Sequence, residues 1–259
     1  MIWRAFQYLK FLFRSTQSVN GNSSLFHELM ANVFQEKTPY YAFEEIESVR
    51  AKLLLTDKEI KVIDLGAGSK KNNKTHRKIN QITRLALKRP KKAQLLFRLA
   101  NYLKAQSIVE LGTSFGITTA YLARACPKAK IVTIEGSPEV AKVARINLKK
   151  LNVLNVQQVV SNFETALPIQ LRDLKEVDFV FFDGNHRKQP TLDYFAQCLD
   201  YSTTNSVFVF DDIYWSKGMK EAWDEIKNHP KVKLTIDCFE MGMVFFQGSQ
   251  LKEHYTVYH

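Results

Sequence analysis

The chain has 259 residues, 45% of them hydrophobic, with 10 glycines and 7 prolines. That is enough to bury one substantial core and too little glycine and proline for a fibrous or disordered protein. The net charge of +11 is uneven: between Lys61 and Lys104, thirteen Lys or Arg stand against one acid, Asp64. A block of this kind suits contact with nucleic acid, an anionic lipid surface or an anionic substrate, or forms a solvated helical face. No apolar run reaches the roughly 20 residues that span a bilayer. Cys126, Cys198 and Cys238 are odd in number and lack a C-x-x-C pair. They read as reduced, mostly buried thiols of a cytoplasmic protein and not as disulfides or zinc ligands.

The first segment, residues 1–14, is aromatic and basic. Lys10 and Arg14 interrupt its apolar character and no small-residue cleavage site follows, so it does not read as an export signal. On a helix Trp3, Phe6, Lys10 and Phe13 lie near one another, with Arg4 and Arg14 close by. Such a segment fits a membrane surface, its own domain or a second subunit of a homodimer. A proline near the first turn opens a second helix at Thr38-Pro-Tyr-Tyr-Ala-Phe. Lys61-Val-Ile-Asp-Leu-Gly-Ala-Gly-Ser69 resembles a strand entering a glycine loop, but the polar run Lys70–Lys78 follows and no second strand ends in an acid. A lone G-x-G is weak, and this loop reads as a turn or a substrate-side contact. Pro90 and the helix expected over 91–104 mark the junction between a mostly helical extension, 1–90, and an α/β domain, 91–259.

Ser107-Ile-Val-Glu-Leu-Gly-Thr-Ser-Phe-Gly-Ile-Thr-Thr-Ala-Tyr-Leu-Ala123 reads as a buried strand, a glycine turn and a helix that starts at once. A second strand, Ile131-Val-Thr-Ile-Glu135, ends in an acid suited to ribose hydroxyls. The glycines run G-x-x-x-G from Gly112 to Gly116, without the third glycine of a pyrophosphate loop. That spacing favours S-adenosylmethionine over NAD as the cofactor. Strands and helices then alternate: helix 116–125, strand 130–135, helix 137–150, strand 155–160, helix 163–173, strand 177–182, helix 189–201, strand 207–210 and helix 217–228. The last two strands, 231–238 and 242–247, leave no room for a helix and form a hairpin, which makes the terminal strand antiparallel.

Five parallel strands followed by an antiparallel hairpin resemble the class I methyltransferases, and among them the catechol-type small-molecule O-methyltransferases. The resemblance covers about 93–247 and implies a Rossmann-like, seven-stranded, mostly parallel sheet. It implies cofactor contacts from Glu110, Gly112, Ser114, Gly116, Thr118 and Glu135. It adds Asn162 and Phe163 of Ser161-Asn-Phe-Glu164, where relatives often carry Gly-Asp-Ala, so an amide stands in for the acid. Asp183, at the end of the 177–182 strand, matches a family metal ligand and also borders the cofactor. Asp211 and Asp212 match an Asp-Asn pair, and three carboxylates at strand ends suit Mg²⁺. His186, three residues after Asp183, stands where relatives place a catalytic lysine. A histidine can accept a hydroxyl proton near neutral pH. Trp215, Met219 and Trp223 share one helical face and read mostly as core, while Tyr214 and Trp215 line the substrate side.

The expected activity is methyl transfer from S-adenosylmethionine to a hydroxyl of a small-molecule acceptor, either with Mg²⁺ assisting or with Asp183 or Asp211 orienting the acceptor without a metal. Two rivals remain at this stage: an RNA or polyanion methyltransferase using 61–104, and a non-enzymatic membrane-surface or partner-binding module.

Overall fold

The computed structural model describes residues 2–15, 23–63, 75–248 and 251–259. The Gly66–Gly68 loop and the polar run that follows it, up to residue 74, lie outside the described residues. The architecture is α/β, a mostly parallel sheet with helices, and its contacts divide into two compact units.

One unit comprises residues 36–170. It begins with helix Tyr41–Leu54, followed by a short antiparallel ribbon, Glu59–Lys61 with His76–Lys78, and helix Ile79–Ala86. Pro90 occupies the first turn of helix Pro90–Leu103, where its missing N–H costs nothing. Three parallel strands follow: Lys130–Glu135 lies between Ser107–Leu111 and Val156–Val160. The apolar runs in the first two are buried almost end to end, as strands covered on both faces must be. Helices Ile117–Ala125, Pro138–Lys150 and Phe163–Leu174 alternate with the strands. The Tyr121 hydroxyl donates to Glu47 at 2.8 Å, and the Glu47 carboxylate also accepts from Arg50 at 2.8 Å. This network ties helix Tyr41–Leu54 to helix Ile117–Ala125.

The other unit comprises residues 1–35 and 171–259. It contains helix Ile2–Arg14, helix Ser24–Leu29 extended by a π-helical turn at Met30–Phe34, and five strands. Strand Val177–Phe182 pairs in parallel with Ser202–Asp211, which is longer than the run expected from 207–210. Met241–Phe245 is antiparallel to both Ser202–Asp211 and Leu234–Asp237, so the terminal hairpin forms as expected. An additional strand, Glu253–Thr256, runs parallel to Leu234–Asp237 and closes that edge. Helices Lys188–Leu199 and Lys217–Asn228 pack together, and the second sends Met219, Trp223 and Ile226 into the core. Cys126, Cys198 and Cys238 are buried thiols outside any disulfide.

Candidate active site

The turn between Leu111 and Ile117 is built on left-handed backbone. Gly112, Ser114 and Gly116 have φ of 106°, 48° and 74°. At Gly116 two requirements meet: the positive φ, and a position where an added Cβ would sit 3.3 Å from Ala144 Cβ and from Leu148 Cγ. Glycine lets helix Ile117–Ala125 start directly against helix Pro138–Lys150. The Asn147 amide donates to the Phe115 carbonyl at 2.9 Å, and Phe115 is fully buried beneath the turn.

Glu110, at the end of its strand, is completely buried. Its Oε2 accepts from the Thr119 hydroxyl at 2.5 Å and the Thr133 hydroxyl at 2.7 Å. Thr133 is the direct cross-strand neighbour of Glu110, and the Thr113 hydroxyl lies 2.6 Å from that of Thr133. Glu110 Oε1 is also buried and has no hydrogen-bond partner among the described residues. Burial pushes the carboxyl up to about 7, although the two hydroxyls oppose the shift. An unpartnered buried carboxylate oxygen is costly, and its chemistry fits a cationic N–H donor.

Glu135 ends the neighbouring strand and fixes the turn from the other side. Its Oε2 accepts from Ser114 N and its Oε1 from Ser137 N, both at 2.9 Å. The carboxylate is half-buried. Thr118 is buried in the first turn of its helix. Asn162 Oδ1 accepts from Thr165 N at 2.8 Å and so caps helix Phe163–Leu174, leaving its NH₂ outward; Phe163 is half-buried beside it.

In the other unit, Asp183, His186 and Asp211 offer ligand atoms that all lie within 4.8 Å of one another. Asp183 follows strand Val177–Phe182, and Asp211 ends strand Ser202–Asp211 and is buried. Asn185 takes a left-handed conformation, φ 52°, which brings His186 back towards the strand ends. Its side chain is held on both sides, donating to the Tyr194 hydroxyl at 3.0 Å and accepting from Arg187 Nε at 2.7 Å. Asp212 is not part of this group. Its own φ of 52° turns it away, and its carboxylate faces Arg4 at 3.5 Å.

Tyr214 is buried, stacks on Phe239 with centroids 4.8 Å apart and donates its hydroxyl to Asp237 at 2.8 Å. Trp215 is exposed, with its ring 6.3 Å from that of His186. Met219 and Trp223 are core, as their helical spacing suggests. Arg4 of the first helix lies over Trp215 at 5.7 Å and Phe239 at 5.9 Å. Neither Arg4 nor the hydroxyls around Glu110 were singled out from sequence. The signal for Thr133 was present all the same: two polar residues in otherwise apolar adjoining strands suggest a buried pair.

A family model described as "Methyltransferase domain" matches residues 109–213. The chain is 31% identical over 134 residues to a catechol O-methyltransferase of Mycobacterium tuberculosis, covering 51% of this chain and 59% of that protein. It is 30% identical over 127 residues to a catechol O-methyltransferase of Niastella koreensis, covering 48% and 57%. The chain therefore spans less than two thirds of these relatives. The structure of an S-adenosylhomocysteine-bound methyltransferase of Podospora anserina is similar in fold, with a TM-score of 0.60, 15% identity and coverage of 90% and 99%. So is that of a Streptomyces achromogenes O-methyltransferase with S-adenosylmethionine, with a TM-score of 0.56, 20% identity and coverage of 84% and 96%. With its strand-turn-helix around Gly112–Gly116, its acid-ended second strand and its antiparallel terminal hairpin, this chain matches a methyltransferase domain over residues 109–213, and its sequence likeness lies with catechol O-methyltransferases.

Proposed function

We propose that the chain transfers the methyl group of S-adenosylmethionine to a hydroxyl oxygen of a small-molecule acceptor. The observation that carries this reading is the buried Glu110 carboxylate, with one oxygen unpartnered, immediately before a turn held open by Gly112, Ser114 and Gly116. When bound, the cofactor supplies a methyl group made electrophilic by its sulfonium. Glu110 accepts the cofactor's amino group, directly or through water, and the turn from Gly112 to Gly116 with Thr118 receives the methionine portion. Glu135 accepts from the ribose hydroxyls, and Asn162 and Phe163 flank the adenine.

On the acceptor side, Asp183 and Asp211 hold a divalent cation such as Mg²⁺, which would supply the positive charge that makes an acceptor hydroxyl easier to ionise. His186 takes the hydroxyl proton, and Trp215 contacts the acceptor. Buried Tyr214 stacks on Phe239, and Arg4 lies over both Phe239 and Trp215. Asp212 acts through Arg4 and not on the cation.

The test is transfer of tritiated methyl from S-adenosylmethionine to catechol and dihydroxybenzoate, with Mg²⁺ and with a chelator. His186→Ala should lower kcat by about 100-fold or more, while S-adenosylhomocysteine affinity stays unchanged. Loss of affinity with unchanged turnover would remove His186 as the base. Full activity in chelator would remove the cation.

A further inference from the structure

We infer that the first helix, Ile2–Arg14, docks on an anionic lipid surface. Ile2, Phe6, Leu9 and Phe13 recur at i, i+4, i+7 and i+11, which is one helical face. They are 89%, 53%, 54% and 91% exposed. The opposite face is already occupied: Tyr8 and Phe11 pack on Phe239 at 4.8 and 5.4 Å, and Arg4 reaches Asp212, Trp215 and Phe239. The helix is thus anchored to its own domain by one side, with a narrow apolar stripe facing outward.

The charges select the occupant. The helix carries Arg4, Lys10 and Arg14 and no acid. Lys10 Nζ lies 4.4 Å from the Phe6 ring centre, so a cation borders the stripe directly. A second copy of this helix brings the same cations and no acid to meet them. An anionic headgroup layer satisfies Lys10 and Arg14 while the apolar side chains enter the boundary beneath it. At 13 residues the helix lies on such a surface, and among the described residues no helix is long and apolar enough to cross one. Because Arg4 touches Trp215 and Asp212, the docked face is one helix thickness from the residues around Asp211. The inference is independent of the methyl-transfer reading, since it rests only on this helix.

Co-sedimentation of the full chain with mixed phosphatidylglycerol–phosphatidylcholine vesicles, compared with pure phosphatidylcholine, tests it. The expected result is pelleting only with the anionic vesicles, weakened by salt. Phe6→Ser with Phe13→Ser should reduce partitioning by about tenfold or more, and so should Lys10→Glu with Arg14→Glu. All four side chains are exposed, so thermal unfolding of both variants should match the parent. No pelleting with anionic vesicles, or pelleting that ignores either pair of substitutions, would overturn the inference. Self-association by light scattering that Phe6→Ser with Phe13→Ser abolishes would also overturn it, by assigning the face to a second copy.

Discussion

Glu110 is a carboxyl held in full burial beside the turn. A carboxyl in full burial resists ionisation, and its folded value of about 7 lies well above the ordinary carboxylate range. The folded chain therefore holds this proton over a pH interval in which the unfolded chain has lost it. The sign follows: Glu110 makes stability fall as pH rises from the usual carboxylate range to about 7. Glu110→Gln keeps an acceptor for the Thr119 and Thr133 hydroxyls and removes the titration. Urea unfolding at pH 5 and pH 8 should show the variant gaining on the parent by on the order of 2–3 kcal/mol across that interval, on top of a constant offset. A difference that does not change with pH would mean that Glu110 is not the titrating group. Asp183, His186 and Asp211 show the complementary case, in which residues far apart in sequence are brought together by strand ends and one left-handed asparagine.

At the scale of elements, Gly242 shows how packing sets the position of the site. It lies on strand Met241–Phe245, paired with Phe210, the residue before Asp211. A Cβ at Gly242 would fall 2.6–2.8 Å from the ring carbons of Trp223, which is 1% exposed. Trp223 is a rigid side chain in a filled core, so it cannot give way cheaply. Gly242→Ala should cost about 2–3 kcal/mol, read as a Tm lowered by several degrees, and Trp223→Phe in the same chain should recover part of it. An unchanged Tm would show that strand and helix do not meet there. Most of these elements were legible from sequence because each wrote its period plainly. The apolar runs of 107–111, 130–135 and 177–182 could only be buried strands, and two strands without a helix between them had to form a hairpin. Glu253–Thr256 was not legible: four residues of mixed polarity carry no period, and their pairing with Leu234–Asp237 is purely tertiary. The polar start of Ser202–Asp211 hid half of that strand for the same reason. Asp212 was grouped with Asp183 and Asp211 by its match to a family Asp-Asn pair, a match that carries no sign of its left-handed φ or of the Arg4 guanidinium its carboxylate faces.

For the whole molecule, the central claim is that the turn at Gly112–Gly116, with Glu110 and Glu135, takes S-adenosylmethionine and not a dinucleotide. Fold alone does not establish this, because α/β sheets of this kind carry many ligands at their strand ends. The most direct measurement is thermal unfolding of the full chain with S-adenosylhomocysteine and, separately, with NAD. A ligand at about one hundred times its dissociation constant adds about 2.7 kcal/mol, several degrees in a chain of this size. A rise in Tm with S-adenosylhomocysteine and none with NAD is the expected result. No rise with S-adenosylhomocysteine, or an equal rise with NAD, would contradict it.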